Sequence, residues 1–419
     1  MEAEQLRRSL DRYKGLVEVS ALITSITDSD ELLSAILDVA RRVMNAEASS
    51  LFIAENDGAL RLVIARNAGR DIKTPIIVPR GHGISGWVYE NTKTLLVPDA
   101  YRDPRFYADA DRQSGFTTRS ILCAPLVSGE RKIGVLQVLN PTDKLAFDEG
   151  DLDAFSAYAQ LAATAIEKLQ TIQRQREQER VAQELSLAHE IQNSFLPQTL
   201  PQLENVCFAA TYRPASNVGG DFYDVLQIGE DEIYFVIGDV SGKGIPAALL
   251  MAQSLSVLRF ILQPGISPAD ALNRWNQMLC GHTIRGMFIT AIVGRVVPSQ
   301  QTVEIACAGH CPPLRVSGRT AVDIDACGAP PIGVIEQLDC KNAAVKIEPG
   351  EWLVFFTDGL TESFNAREQL LDRSGVRTLL QSGFASASDI VSALLAGEEK
   401  HRQKADPHDD LTVLVFGMR

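Results

Sequence analysis

The residues with the clearest chemical potential lie between Asn217 and Ala248, in NVGGDFYDVLQIGEDEIYFVIGDVSGKGIPAA. Asp221 and Asp224 follow a glycine pair. Ile233 to Ile237 is short, apolar and β-branched enough to form a buried strand. That strand ends at Gly238-Asp239. Ser241-Gly242-Lys243-Gly244 then makes a glycine-spaced turn before a helix opened by Pro246, a residue suited to the first helical position. Asp239 is thereby held at the end of a core strand, beside two acids brought in by the strand before it. Carboxylates held together repel, and a hard divalent cation offsets that repulsion. A single Asp in such a place serves equally as a turn former or a cap. Further Asp residues in similar settings downstream favour the cation.

The rest of the chain must position these acids. With 419 residues, 45% hydrophobic and 22% charged, it reads as globular, with two or three domains. No apolar run reaches the ~18 residues needed to span a membrane, and the charged start, MEAEQLRRSLDRYKG, lacks the apolar centre of a signal peptide. The seven cysteines are scattered and contain no C-x-x-C pair. Neither zinc nor a disulfide framework is expected, and a cytoplasmic location fits. A formal charge of −13 argues against a nucleic-acid surface.

Residues 4 to 44 read as two helices. The first carries Leu6, Leu10, Tyr13 and Val17. The second is capped near Asp28, with Glu31 three residues on. Strand signals follow at Ser50 to Ala54 and Leu60 to Ala65, joined by Asn56-Asp57-Gly58. They continue at Gly83 to Val88, Thr94 to Pro98, Ile121 to Val127 and Ile133 to Leu139. A helix starts near Asp148. GHGISGWVYENTKTLLVPDAYRDPRFY and SILCAPLVSGERKIGVLQVLNPTDKLAFDEGDLDAFSAYAQLAATAIEKL, in this order, resemble a GAF domain over roughly residues 15 to 168. The resemblance implies an antiparallel sheet flanked by helices, acting as a small-molecule sensor or as a dimerisation module. The stretch Asn140 to Glu149 matches the signature of cyclic-nucleotide GAF domains only in part, because Pro141 stands where that signature has Lys. The GAF ligand is unknown, and a purely structural domain is the alternative. Cys123, inside an apolar strand, reads as core.

From about Phe155 to Phe195 the pattern is one long helix. Apolar residues recur at Phe155, Ala159, Ala162, Ile166, Leu169 and Ile172, and resume at Val181, Leu185 and Ala188 after the polar stretch Gln173 to Arg180. Ile172 and Val181 are nine residues apart, which at ~100° per residue sets them on opposite sides of a helix. A solvated linker is one reading. A dimeric coiled coil with a break in phase, through which a signal passes, is the reading favoured here.

AHEIQNSFLP, YRPASNVGGDFYD, GDVSGKGIPAALLMA, MFITAIVG, CAGHCPPL, FFTDGLTESFN and DDLTVLVF then occur in order. Together they resemble the metal-dependent serine/threonine phosphatases of the type-2C (PPM) superfamily, in the RsbU and SpoIIE branch, over roughly 186 to 419. The resemblance implies two packed antiparallel sheets with outer helices. It also implies two Mn²⁺ or Mg²⁺ ions that activate a water for in-line attack on phosphorus. Asp239 matches the bridging ligand, Val240 a backbone-carbonyl ligand, and Asp358 and Asp409 the remaining carboxylates. Either Asp221 or Asp224 matches the acidic position of the first motif. Asp410 takes a supporting polar position. Relatives with D-G-H carry a His where this chain has Val240-Ser241, which leaves the general acid open between Ser241 and metal-bound water. Arg213 and Lys243 are candidate substrate-binding residues, with surface or turn roles as the alternative, and His310 reads as a structural turn residue. Two other motifs fail on inspection. Gly219-Gly220-Asp221-Phe222 does not continue as the GGDEF signature of diguanylate cyclases, and Gly242-Lys243 is followed by Gly244 where a P-loop needs Ser or Thr.

The expected protein is α+β. Residues 1–168 form a GAF sensor domain with its N-terminal helix, 169–195 a coiled-coil signalling helix, and 196–419 a PPM phosphatase domain with an α-β-β-α sandwich. The expected function is regulated dephosphorylation of a phosphoserine partner. The family resemblance implies a STAS-type anti-anti-sigma factor as that partner, with Glu190, Ile191, Gln192 and Leu196 passing the GAF input to the metal site. A homodimer through the linker helix and GAF domain is expected. Neither nucleic acid nor a membrane is an expected partner. A catalytically degenerate scaffold and a small-molecule phosphatase are the alternatives.

Overall fold

The computed structural model describes residues 26, 28–67, 70–72, 76–106, 111, 116–201, 205–229, 231–280 and 286–418. The proposed first helix, with Leu6, Leu10, Tyr13 and Val17, lies outside the described residues. The chain divides into two compact units, Met1–Arg180 and Val181–Arg419.

The first unit begins with helix α1 (Ser29–Val43), whose N-terminus is capped by Asp28 accepting from the Glu31 N–H at 2.9 Å. Strands β1 (Ala46–Ala54), β2 (Leu60–Asn67), β3 (Arg70–Ile72) and β4 (Ile77–Val78) follow, then helix α2 (Gly83–Asn91). Strands β5 (Leu95–Val97), β6 (Ile121–Ser128) and β7 (Arg131–Pro141) precede helix α3 (Glu149–Phe195). The described strands make one antiparallel sheet in the order β3-β2-β1-β7-β6-β5, with β4 paired to β2. Successive residues of a strand face opposite ways, and both faces here are covered. Leu51, Leu122 and Leu136 pack with α1 and the first half of α3. Their neighbours Phe52, Cys123 and Val135 pack with Ile84 and Val88 of α2.

Gly83 to Val88 is therefore a correction: the stretch read as strand is helical. Ile84 and Val88 stand four apart and share a buried face, and Gly86 approaches the Gly81 backbone so closely that a Cβ would lie 2.8 Å from its carbonyl carbon. A strand would have sent those apolar residues to one face with Gly86 between them. Helix α3 runs on for 47 residues without a break. Phe155, Tyr158, Ala162 and Ile166 are buried, whereas residues 173–184 are exposed on all sides.

The second unit opens with β8 (Val206–Arg213), β9 (Phe222–Gln227) and β10 (Ile233–Val240), then helices α4 (Ile245–Ile261) and α5 (Pro268–Leu279). Strands β11 (Ile289–Val297), β12 (Thr302–Ala308), β13 (Leu314–Ser317), β14 (Thr320–Asp323), β15 (Cys327–Ala329), β16 (Ala343–Lys346) and β17 (Glu351–Phe356) follow. Helices α6 (Asp358–Thr361), α7 (Asp372–Leu379) and α8 (Ala387–Arg402) precede the last strand, β18 (Leu411–Met418). One sheet has the order β15-β12-β11-β10-β9 with β16 on β12, and the other β14-β13-β17-β18-β8. Their inner faces share a core of Phe235, Ile237, Ile305, Phe355 and Phe416. The ring centroids of Phe235 and Phe355 are 4.9 Å apart. Helices α4 and α5 cover the outside of the first sheet, and α7 and α8 that of the second. The result is an α-β-β-α sandwich.

Strand β10 contains the apolar run Ile233 to Ile237 that the sequence marks as a buried strand. The short strands β13 to β16 do not announce themselves. They owe their state to pairing with longer neighbours, as Ala343–Lys346 does on β12. Cys123, Cys280, Cys311 and Cys340 are free thiols, but Cys307 is disulfide-bonded, against the expectation from cysteine spacing. Among the described residues no helix is long and apolar enough to cross a membrane.

Candidate metal centre

Four turns bring the acids together. Asp239 and Val240 close β10, Asp221 precedes β9, Asp358 starts α6 directly after β17, and Asp409-Asp410 lead into β18. Strands β9 and β10 belong to one sheet and β17 and β18 to the other, so the cluster joins both sheets at one end of the sandwich. Asp221 is buried. Its Oδ2 accepts from the hydroxyls of Thr357 at 2.7 Å and Thr412 at 2.8 Å. Thr357 Oγ1 also accepts from the Thr412 N–H at 3.0 Å. Asp410 holds the approach to β9 from the other side, accepting from the N–H groups of Ala215 at 2.8 Å and Gly220 at 2.7 Å.

Glycine is required at this approach. A Cβ on Gly219 would stand 2.1 Å from Asp410 Oδ2, and one on Gly220 would stand 2.7 Å from the Val240 carbonyl oxygen and 3.4 Å from Asp239 Oδ1. The backbone at Gly219-Gly220 thus lies directly against the acids, with no side chain between.

The two candidate acids of the first motif are separated by the fold. Asp221 lies beside Asp239, close enough for each to shift the titration of the other. Asp224, three residues on and paired across the sheet with Val236, is turned elsewhere: Arg259 Nε donates to it at 2.7 Å. Asp224 therefore faces Arg259 and Asp221 faces the other acids. Its partner Arg259 also donates to the Phe195 carbonyl at 2.7 Å, which ties the end of α3 to α4.

The electrostatics record the crowding. Burial, then Asp358, Asp409 and Asp410, push Asp239 up to about 7, against the opposing hydrogen bond from Asp221. Asp221 is raised well above the carboxylate range by burial and by Asp239. Asp358 is raised by burial, then by Glu362 and Asp409. The Tyr212 hydroxyl, buried and without a hydrogen-bond partner among the described residues, is pushed up by burial and by Asp410 and Asp221. Among the described residues no three His, Cys, Asp or Glu side chains converge tightly enough to grip one ion. The carboxylates are in electrostatic reach of one another without being closed on a point. An all-oxygen donor set of this charge, with the Val240 carbonyl beside it, fits a hard divalent cation rather than zinc or copper.

The other sequence candidates are spread over the domain. Lys243 is at the cluster, 3.2 Å from Asp409 Oδ2. Arg213 faces the buried Glu398 at 3.7 Å. Ser241 Oγ accepts from the Phe288 N–H at 2.8 Å, which fixes the turn after β10. His310 is buried against the Thr290 hydroxyl at 2.8 Å, and burial lowers it to about 4, so it is neutral at pH 7. On α3, Glu190 and Ile191 are exposed while Gln192 and Leu196 are buried. Gln192 Nε2 donates to the Gly219 carbonyl at 2.5 Å, and its Oε1 accepts from the Gly219 N–H at 3.1 Å. Sequence reasoning missed Thr357, Thr412 and Arg259. The two threonines flank Asp358 and Asp410 in their motifs, where a hydroxyl beside an acid was the available signal. Arg259 gave none.

In the first unit a cavity of about 390 Å³ opens between the sheet and α2. Phe52, Leu62, Ile84 and Ile121 give it apolar walls, and Ser50 and Gln137 give it polar points.

Comparison with known proteins agrees with this geometry. Residues 28–166 match the GAF domain family, and residues 229–419 match Stage II sporulation protein E (SpoIIE). The chain therefore joins a GAF domain to a phosphatase domain of the SpoIIE type. Among its relatives is Phosphoserine phosphatase RsbU of Bacillus subtilis (strain 168), 28% identical over 241 residues, spanning 57% of this chain and 71% of RsbU. Protein IcfG of Synechocystis sp. is 26% identical over 55% of this chain, which covers only 41% of IcfG. A cGMP-specific 3',5'-cyclic phosphodiesterase of Drosophila mojavensis is 30% identical over 40% of this chain and 16% of its own length. The solved SiaA-PP2C domain of Pseudomonas aeruginosa superposes with a TM-score of 0.52 at 20% identity, over 58% of this chain and 99% of that domain, and so shares the fold.

Proposed function

We propose that the second unit hydrolyses phosphoserine or phosphothreonine in a partner protein, using divalent cations held by Asp239, Asp358, Asp409, Asp221 and the Val240 carbonyl. The observation that carries this is the meeting of five acids from four turns, two from each sheet, around Asp239. A domain that only bound a partner would gain nothing from such repulsion. Two Mn²⁺ or Mg²⁺ ions at this place would supply Lewis-acid activation of water and offset charge on the phosphoryl oxygens. The chain's own residues do the rest. Thr357 and Thr412 orient Asp221, Asp410 holds the Gly219-Gly220 backbone against the site, and the two sheets keep water and substrate on one open edge. RsbU is named a phosphoserine phosphatase, which supports the same substrate class here; the narrower reading, a STAS-type anti-anti-sigma factor, rests on the sequence resemblance alone.

The GAF cavity supports small-ligand sensing by residues 1–168, and residues 169–195 act as the helical connection to the phosphatase domain at 196–419. The helix's exposed Val181, Leu187 and Ile191 support a homodimer paired through this connection. Gln192 and Leu196 anchor its end to the metal site, with Glu190 and Ile191 beside them. A cytoplasmic location follows from the reading as a signalling phosphatase.

The test is Mn²⁺-dependent phosphate release from a phosphoserine protein by the full chain, with Asp239→Asn as control. Loss of activity in the variant supports the reading. Activity retained in Asp239→Asn removes it, and an inactive wild-type chain that still binds its partner favours the scaffold alternative.

A further inference from the structure

Lys243 stands in an unusual position for a cation. Its ammonium lies 3.2 Å from Asp409 Oδ2 and donates to the His408 carbonyl at 2.6 Å. Among the described residues it is the only Lys, Arg or His ion-paired to Asp221, Asp239, Asp358, Asp409 or Asp410. The side chain is 56% exposed, so the ammonium can leave Asp409 without disturbing the core. The turn that carries it is open. Gly242 and Gly244 have φ of 94° and 76°, and a Cβ on Gly244 would meet nothing within 4 Å. Ser241 anchors the turn's start through its two hydrogen bonds with Phe288, independently of Lys243.

A lysine and a divalent cation compete for the same carboxylate oxygen. A phosphoserine brings a dianion to a site ringed with acids, where it needs positive charge beyond the cations themselves. We propose that Lys243 exchanges partners. It neutralises Asp409 until a divalent cation takes that carboxylate, and it then binds the phosphoryl oxygens of the substrate. This rests on the reading of the acids as a cation site. It makes Lys243 a residue that touches substrate, and it predicts effects of opposite sign on cation and phosphate.

The experiment uses the full chain as wild type, Lys243→Met, Lys243→Gln, Lys243→Arg and Asp239→Asn, each checked for folding by circular dichroism. Mn²⁺ affinity is measured by titration calorimetry, and inorganic phosphate affinity is measured in Mn²⁺-saturated protein. The two neutral variants should bind Mn²⁺ about three-fold more tightly, the size expected for losing one exposed competing charge. They should bind phosphate about ten-fold more weakly, while Lys243→Arg retains phosphate affinity. Unchanged or weaker Mn²⁺ binding in both neutral variants, or unchanged phosphate binding, overturns the proposal while the cation site stands, provided Asp239→Asn has lost Mn²⁺. If Asp239→Asn binds Mn²⁺ like wild type, the cation site itself is misassigned and this proposal falls with it.

Discussion

Replacing Gln192 asks how firmly the end of α3 sets the acidic site. Its amide is buried and makes both of its hydrogen bonds to the backbone of Gly219. Gly219 is followed by Gly220, which Asp410 holds, and by Asp221. Gln192→Met keeps the volume and leaves the Gly219 N–H and C=O without partners. A buried backbone group left unpaired costs about 1–3 kcal/mol. Two such groups, partly relieved by water at this edge, give a loss of about 2–4 kcal/mol. Since each 1.4 kcal/mol is about ten-fold in an equilibrium, the population with Gly219 to Asp221 in place should fall by about 30-fold or more. Gln192→Glu should do similar damage, because one carboxylate oxygen would then face the Gly219 carbonyl. The assay is Mn²⁺ affinity of the full chain, read beside kcat/KM on a phosphoserine protein and beside the urea midpoint of the phosphatase unit. The expected result is a fall in both Mn²⁺ affinity and kcat/KM. A folded Gln192→Met chain with wild-type Mn²⁺ affinity and wild-type kcat/KM would refute the reasoning and leave Gln192 as a packing residue only.

Further outcomes follow from the same geometry. Asp239 sits near 7 in the folded, cation-free chain against an ordinary 3.8. The folded state therefore holds more protons than the unfolded one between those values, and stability without cations should fall as pH rises from about 4 to 7. Asp239→Asn should flatten that slope in urea titrations, and a slope that is unchanged in the variant counts against the assignment. Asp221→Asn should weaken Mn²⁺ binding by ten-fold or more, whereas Asp224→Asn should leave it within about two-fold; calorimetry giving the reverse order would return Asp224 to the site. Gly220→Ala drives a methyl group against the Val240 carbonyl, 2.7 Å away, and should lower kcat/KM by at least ten-fold with the fold intact by circular dichroism. Normal turnover in that variant would show that the backbone there has room to retreat.

Much of this protein was legible in its residues. Asp239 and Asp358 sit where an apolar run stops at a turn, and Asp409 sits just before one begins. Strand ends of this kind are written locally, so their convergence on an acidic site could be anticipated. The strand through Ile233 to Ile237 and the 47-residue helix were equally local, being a continuous apolar run and a periodic one. Three features were not. Gly83 to Val88 carries too few residues to separate a short helix from a strand by pattern, and only the close approach of Gly86 to Gly81 decided it. Strands β13 to β16 exist because longer neighbours pair with them. The different surroundings of Asp221 and Asp224 come from Arg259, which lies 35 residues on from Asp224, and from Thr357 and Thr412, which reach Asp221 from the other sheet. Sequence by itself determined which residues could carry charge to the end of a strand. Only the tertiary structure decided which of those charges face one another, because burial and partners across the two sheets depend on contacts that no local pattern records.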